Sequence, residues 1–268
     1  ALQIQPSELV KPFVILQAAN IFANWNRLCG DQKLLWLSSF GGLLLLILKQ
    51  PNLSTAGLIG ILIWLIAFAS GVRLLSLSLT AFGGLLLGTA SIIVNDYQRI
   101  RVISFLNPWQ DPQGNGYQLV QSLLAIGSGG FFGEGYGLST QKLQYLPIQS
   151  TDFIYAVFAE EFGFIGSTIL LLFLMLVAFL GLRVALSCNS NQARLVAIGC
   201  TTILVGQAIM HIAVASGVMP TTGLPLPLVS YGGNSLISSL MIAGLLVRSS
   251  LESTGLIGGR RKSNKLHE

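Results

Sequence analysis

Acidic residues and glycines gather in one stretch of the chain, residues 111–166, between two long apolar runs. Five of the ten acidic side chains fall there: Asp111, Glu134, Asp152, Glu160 and Glu161. A carboxylate can act as a general base that removes a proton from a reacting hydroxyl group. Asp152 stands where the stretch returns to an apolar segment, so it is the first candidate for this chemistry.

Asp152 also has a structural interpretation. Thr and Asp are favoured N-cap residues, and Thr151 and Asp152 stand just before an apolar helical segment. A carboxylate in that position accepts backbone N–H groups and interacts favourably with the positive end of the helix dipole. The residue pattern alone leaves both roles open, a helix cap and a general base.

Two further carboxylates, Glu160 and Glu161, follow on the same helix. At about 1.5 Å per residue, Glu160 lies roughly 10–12 Å deeper than Asp152. Ionisable groups at such a depth in a membrane face a partner or a cavity. These two residues therefore fit either a structural pair with Arg or Lys from another helix, or a group that binds a ligand or an ion.

Basic residues on the same side of the membrane form the next group of candidates. They fit either contacts with lipid headgroups or a site for an anionic phosphate ligand; they are Lys11, Lys49, Arg99, Arg101 and Lys142. His211 lies well inside an apolar span, where a hydrogen-bonded core histidine is favoured over a catalytic one. The sequence contains no phosphate-binding glycine loop, zinc motif or Ser/His/Asp triad signal.

The composition indicates the class of protein to which these residues belong. The chain has 268 residues, of which 52% are hydrophobic and 9% charged, whereas a soluble domain carries about 25% charged residues. These values predict an all-α polytopic membrane protein, with residues 1–268 as a single membrane domain. The net charge of +5 is not clustered on an amphipathic element, so nucleic acid is not an expected partner. Cys29, Cys188 and Cys200 have no metal-like spacing, which favours reduced thiols.

Seven transmembrane spans can be drawn from the apolar runs: 8–25, 34–48, 57–72, 74–94, 153–182, 195–218 and 232–247. The second and third are short for a bilayer. One large loop, residues 95–152, joins the fourth and fifth spans, and it would contain a short amphipathic helix over 116–126. Its glycines, residues 127–137, would let backbone approach backbone or a ligand closely. Residues 251–268 form a basic tail.

The positive-inside rule orients these spans. If residues 95–151 lie outside, ten of the fifteen Lys and Arg residues fall inside, and seven of the ten acidic residues fall outside. The large loop is therefore predicted to be extracytoplasmic, on the periplasmic side of a bacterial inner membrane, and the basic tail cytoplasmic.

Several motifs in order along nearly the whole chain resemble the SEDS family, the FtsW/RodA group of bacterial membrane proteins. They begin with Gln5-Pro-Ser-Glu-Leu9, Lys11 and Gln50-Pro51. They continue with Gly114-x-Gly-Tyr-Gln118, Gln121-Ser122, Ala125-Ile-Gly-Ser-Gly-Gly130 and Gly133-x-Gly135. They end with Thr151-Asp-Phe-Ile-Tyr155, Glu160-Glu161-x-Gly163, Pro220-x-Thr-Gly-Leu224, Leu226-Pro227 and Ser230-Tyr-Gly-Gly233.

This resemblance implies a ten-helix fold, of which the seven spans are the fourth to the tenth. The chain begins at Ala1 directly on a motif, so we expect it to be N-terminally truncated. The implied activity is an inverting peptidoglycan glycosyltransferase that polymerises lipid II, acting with a class B penicillin-binding protein and other divisome or elongasome proteins. The resemblance is closer to the division branch. It leaves the need for a divalent cation open.

The resemblance also implies site residues. Asp152 would be the catalytic residue, and the substrate would be bound by Glu8, Lys11, Arg99, Arg101, Lys142, Glu160, Glu161 and Ser230. Among these, Lys11, Arg99, Arg101 and Lys142 would face the charge that develops on the leaving diphosphate, with Glu8 orienting Lys11. The sequence departs from the usual pattern at Ile148, Gln149 and Ser150 before Asp152, and at His211, where an Asn is usual.

The same residues are also compatible with two other functions. A transporter that flips the lipid-linked precursor would use Glu160, Glu161 and His211 and would need an alternating cavity. A scaffold for division proteins would need no chemistry. The concentration of polar residues in one external loop, away from the midplane of paired broken helices, favours the enzyme.

Overall fold

The structure, a computed structural model, describes residues 5–50, 52–139 and 152–254. Within these residues the chain forms α-helices and no strands. The helices are α1 (Pro6–Ala23), α2 (Gly30–Lys49), α3 (Leu53–Ala69), α4 (Leu74–Val94), α5 (Asp96–Leu106), α6 (Tyr117–Ser128), α7 (Ile154–Ser187), α8 (Asn191–Thr201), α9 (Gln207–Ala215) and α10 (Gly233–Ser253).

Each of the seven expected spans corresponds to a helix or a continuous pair of helices. Five segments are long and apolar enough to cross a membrane: α2, α4, α7, the α8–α9 pair and α10. Helix α3 is apolar but shorter, as expected for that span. Helix α1 is more polar because it contains Glu8 and Lys11. The all-helical multi-pass membrane fold is therefore confirmed.

The α8–α9 pair lies at the centre of the bundle. Its two helices are joined through a π-helical turn, Thr202–Gly206, and run as one segment. Inside the protein, 67% of its apolar stretch is buried, whereas the corresponding share is 6% for α4 and 11% for α2. The completely buried side chains around it come from α1, α3 and α8, and they include Ile15, Ile59, Leu62, Ile66 and Leu195. The apolar surfaces of α2 and α4 are left for lipid.

Side-chain contacts show which helix ends share a membrane face. The Ser190 hydroxyl donates to Glu252 Oε1 at 3.2 Å, which joins the start of α8 to the end of α10. At the opposite face, the Ser238 hydroxyl donates to the Glu8 carbonyl oxygen at 2.8 Å, which joins the start of α10 to the start of α1. The polar residues of the first turns of α1 therefore lie at the same face as the segment that precedes α10.

The described part of the expected large loop, residues 95–139, is mostly helical. Helix α6 confirms the amphipathic helix expected over 116–126, and it buries Leu119 and Ala125 while the Ser122 hydroxyl donates to the Ala215 carbonyl oxygen at 2.7 Å. Leu124 on the same helix is 46% exposed. Helix α5 was not anticipated from the sequence. Of the expected basic tail, residues 251–253 continue α10 and residues 255–268 lie outside the described part.

Candidate active site

A short segment between α9 and α10, residues 221–226, is held by side chains from α5 and α9, and we call it the site loop. Helix α9 ends with Gly217 at φ 70°, and the Val218 N–H turns back to the Ala213 carbonyl oxygen at 2.7 Å. This pattern is a Schellman motif, which favours glycine because the backbone enters the left-handed region. The chain then leaves α9 in the direction of the site loop.

Three side chains, one from α5 and two from α9, bind carbonyl oxygens of the site loop. The Arg101 guanidinium on α5 donates from Nη1 to Thr221 O at 3.1 Å. On α9, His211 Nδ1 lies 2.8 Å from Leu224 O, and Gln207 Nε2 donates to Pro225 O at 2.7 Å. At its end the loop is closed by Ser230, whose Oγ accepts the Leu226 N–H at 2.8 Å.

Asp152 lies against the same loop. A Cβ atom placed on Gly223 would stand 3.6 Å from Asp152 Oδ2, so the carboxylate and the loop backbone are in contact range. The Asp152 side chain is half-buried, and its charge acts on the His211 imidazole. The expectation that Thr151 or Asp152 caps the following helix is wrong for Asp152, because α7 begins at Ile154 with Phe153 at the N-cap and no side-chain cap bond. Thr151 lies outside the described residues.

His211 leaves one ring nitrogen available at this site. Because the Leu224 carbonyl oxygen can only accept, Nδ1 of the neutral ring carries the proton and Nε2 presents a lone pair. His211 is 1% exposed, and in the described structure its Nε2 is a buried atom without a hydrogen-bond partner, as is Oγ1 of Thr222 in the site loop. Buried polar atoms are rarely left unsatisfied in native proteins. His211 and Thr222 therefore each present a polar atom that a ligand or an ordered water can satisfy.

A buried ion pair supports the loop from α1. Lys11 Nζ lies 2.5 Å from Glu8 Oε1 and donates to Gln207 Oε1 at 2.9 Å. The expected contact between Glu8 and Lys11 is thus present, and through Gln207 it reaches Pro225 of the loop. Lys11 is 1% exposed with its charge paired to Glu8. The expectation that Lys11 meets a phosphate group does not fit this placement.

The other expected basic residues are placed differently. Arg101 stacks on Tyr97, with the guanidinium carbon 4.5 Å from the ring centroid, while it holds the site loop. Arg99 points elsewhere and forms an exposed ion pair with Asp96 at 2.8 Å. Lys49 is exposed at the end of α2, and Lys142 lies outside the described residues. Arg101 is therefore the described cation that the fold brings to the site loop.

Glu160 and Glu161 lie at a break in α7. Gly163 has φ 63° and ψ −159°, a conformation that only glycine adopts readily, and it removes two hydrogen bonds of the helix. The freed carbonyl oxygens of Glu160 and Glu161 accept from the N–H groups of residues 134 and 135 at 2.9 and 3.2 Å. The freed N–H groups of residues 164 and 165 donate to the carbonyl oxygens of residues 130 and 131 at 2.9 and 3.3 Å.

The glycine segment is therefore inserted into the broken turn of α7. Cβ atoms on Gly129 and Gly133 would collide with the carbonyl oxygens of Ala159 and Glu161. This confirms the expected close approach of backbone to backbone at these two glycines. The Glu160 carboxylate is completely buried and accepts the Ser139 hydroxyl at 2.5 Å, while Glu161 is 6% exposed. Both carboxylates lie at the junction between α7 and the segment that leads into residues 140–151.

Of the residues expected at the site, Asp152, Arg101 and Ser230 lie at the site loop, and Glu8 reaches it through Lys11 and Gln207. Other residues of the loop surroundings were not expected there. Gln207 was visible only as a polar residue in an apolar span, and His211 was assigned to the core. Thr222 and Ser238 carried no signal of their own. Among the described residues, no three His, Cys, Asp or Glu side chains are grouped closely enough to hold a metal ion, and the structure leaves the requirement for a divalent cation open.

The fold and this site define a multi-pass helical membrane protein with a polar centre at one membrane face. The family model described as "Cell cycle protein", that of FtsW, RodA and SpoVE, matches residues 1–255. The chain therefore belongs to the FtsW/RodA family.

Relatives and solved structures agree with this assignment. The chain is 56% identical over 250 residues to a protein of Synechocystis sp. named "Probable peptidoglycan glycosyltransferase FtsW", covering 93% of this chain and 64% of that protein. A chain from a structure of a peptidoglycan synthase complex that coordinates polymerization and crosslinking is 30% identical with a TM-score of 0.72, covering 94% of this chain and 71% of that one. The crystal structure of the Thermus thermophilus rod shape determining protein RodA gives 28% identity and a TM-score of 0.61, covering 94% and 66%.

Proposed function

We propose that the chain carries the active site of a peptidoglycan glycosyltransferase that polymerises lipid II during cell division. The observation that carries this proposal is the position of Asp152, which is half-buried against the site loop. There its charge acts on the imidazole of His211, whose Nε2 has no hydrogen-bond partner in the described structure. The names of the relatives support the reaction class and the division branch. The chain spans 64% of the length of the Synechocystis relative, so the reaction belongs to the whole protein.

In the proposed reaction, the Asp152 carboxylate takes the proton of the acceptor sugar hydroxyl. The hydroxyl oxygen attacks the anomeric carbon of the lipid-linked donor from the face opposite the leaving group. The bond from that carbon to the phosphate oxygen breaks, and undecaprenyl diphosphate leaves with the electron pair and with inversion at the anomeric carbon. General base action of this kind is worth about 10²–10⁴ in rate.

The surrounding residues take the following roles. Arg101 stands where a cation can face the charge that develops on the diphosphate, and Lys142 is the other candidate. Glu8 and Lys11 act by positioning Gln207 and the site loop, and Ser230 closes the end of the loop. Glu160 and Glu161 fix the inserted glycine segment. They also bind the substrate at the place where the substrate contacts that segment. Arg99 contributes long-range positive charge only.

The proposed topology follows from the charge distribution. The site loop, α5 and the start of α7 lie on the periplasmic side, where residues 95–152 form the external loop that carries the active site. The seven spans would be the fourth to the tenth of a ten-helix fold. Because a solved relative couples polymerization to crosslinking, we propose a class B penicillin-binding protein as the partner, within the assembly of division proteins.

The test is polymerisation of purified lipid II by the full-length protein with its transpeptidase partner. Asp152→Ala should abolish long glycan products, whereas Asp96→Asn, which neutralises an exposed acid of the same external loop, should leave them unchanged. Wild-type rates from Asp152→Ala would show that the base lies elsewhere. If neither the wild type nor the variants made glycan while a known polymerase did, the proposed activity would be wrong. Assays with and without EDTA would decide the divalent cation question.

A further inference from the structure

A polar cavity lies at the membrane face opposite the site loop. It has a volume of about 390 Å³ and lies between the end of α1, the end of α3 and the start of α8. This is within the range of small-ligand sites. The start of α8 is joined to the end of α10 by the Ser190–Glu252 hydrogen bond, so the cavity is on the face predicted to be cytoplasmic.

Two guanidinium groups and several side-chain amides line this cavity, which we call the arginine cavity. The polar lining residues are Asn24, Asn26, Arg27, Ser70, Asn191, Gln192 and Arg194. None of the described lining residues is acidic, so no lining carboxylate neutralises the two positive charges. A third cation is close, because Lys33 Nζ lies 5.4 Å from the ring centroid of Trp25, which also lines the cavity.

One polar atom here has no partner. Nε of Arg194 is buried and makes no hydrogen bond within the described structure. A buried donor of a charged group is costly to leave unsatisfied, and native structures satisfy such donors with a ligand, an ion or water. Paired guanidinium groups bind phosphate oxygens through charge-assisted hydrogen bonds, which amide donors can supplement. The chemistry of the cavity is therefore that of a phosphate site.

We propose that the arginine cavity binds a phosphate ester, supplied by the headgroup of an anionic phospholipid of the inner leaflet. The cavity lies at the ends of α1 and α3 and the start of α8, and aromatic residues such as Trp25 are typical of the membrane–water interface. A phosphatidylglycerol headgroup keeps its negative charge, whereas phosphatidylcholine carries a compensating ammonium group. The site should therefore prefer the former. This inference is independent of the proposed polymerase activity.

The experiment is a thermal-stability titration of the detergent-solubilised protein with short-chain phosphatidylglycerol, short-chain phosphatidylcholine or inorganic phosphate. Phosphatidylglycerol should raise the Tm saturably, because a ligand that binds only the folded state stabilises it. The Arg27→Gln/Arg194→Gln double variant should bind it at least about tenfold more weakly. Arg248→Gln removes an exposed arginine from the same face outside the cavity, and it should bind within about twofold of the wild type.

Two further variants keep the test decisive if the double variant is poorly folded. Arg27 is exposed, so Arg27→Gln alone should fold and still bind more weakly. Arg194→Lys keeps the charge but loses the planar fork, and its affinity should fall between those of the wild type and the double variant. Equal affinity of the wild type and Arg27→Gln, or no saturable shift with any phosphate compound, would overturn the proposal. An equal shift with inorganic phosphate would overturn the lipid as its source.

Discussion

The backbone N–H of Glu134 donates to the carbonyl oxygen of Glu160 at 2.9 Å, in place of the N–H that an unbroken α7 would supply. This bond is one of four by which the glycine segment repairs the break at Gly163. A helix break inside a membrane protein is tolerated only when its free polar groups find partners. The segment that leads to Asp152 is therefore anchored about two helical turns away from that carboxylate.

The first prediction concerns Gly163. Gly163→Ala should destabilise the protein by at least about 1–3 kcal/mol, because its backbone conformation is strained for any residue with a Cβ. That Cβ would also collide with the backbone of Gly133. Thermal unfolding in detergent measures the loss. Gly84→Ala, at an open position on α4, is the matched control and should be neutral or slightly stabilising. Equal Tm values for the two variants would contradict the structure.

The second prediction compares two arginines on one helix. Arg101→Gln should lower the polymerisation rate by about tenfold or more, because it releases the Thr221 carbonyl oxygen and removes the cation from the site loop. Arg99→Gln removes the same charge two residues away, from an exposed pair of the kind that contributes about 0–1 kcal/mol. It should keep at least about half of the activity. Similar losses from both variants would indicate a general effect of charge.

The third prediction concerns His211. His211→Ala should reduce the polymerisation rate about tenfold or more, because it frees the Leu224 carbonyl oxygen and removes the imidazole on which the charge of Asp152 acts. His211→Asn retains an amide donor for the carbonyl oxygen and should keep more activity. Ile209→Ala, an exposed position on the same helix, is the control. Full activity of His211→Ala at an unchanged Tm would exclude a role for this imidazole.

The fourth prediction treats Glu8 and Lys11 as a unit. Lys11→Met alone leaves a buried carboxylate without its cation, which costs about 3–5 kcal/mol. Glu8→Gln combined with Lys11→Met removes both charges and should be less destabilised than the sum of the two single variants. A double-mutant cycle of unfolding free energies measures this coupling. Additive effects would mean that the 2.5 Å contact contributes no interaction energy.

The fifth prediction concerns the thiol of Cys188, which lies between α7 and α8. Partial burial, and secondarily the negative charge of Glu252, raise the pKa of this thiol above its ordinary value. The thiolate fraction at pH 8 is therefore reduced, and alkylation is slow. In a variant that keeps Cys188 as its single cysteine, Glu252→Gln should lower the pKa and speed alkylation by iodoacetamide. Unchanged kinetics would show that Glu252 does not act on the thiol.

The sequence predicted the spans well because apolar runs report directly on burial in lipid. It also predicted the Glu8–Lys11 contact, since the two residues lie one turn apart in one helix. It could not predict the break at Gly163 or the convergence on the site loop. Those features depend on residues far apart in the chain, such as Arg101 and Thr221, whose pairing no local pattern encodes. Likewise His211 looked like a core residue because its burial is real and its free nitrogen is visible only in three dimensions.

The hydrogen bond between Ser238 and Glu8 joins residues 230 positions apart, and that between Gln207 and Lys11 spans 196 positions. During synthesis α1 leaves the ribosome long before α9 and α10, so a helix with a glutamate and a lysine must wait in or near the bilayer without its partners. Contacts of such sequence separation form late in folding. The site loop thus completes its shape only after α10 has joined α1 and α9.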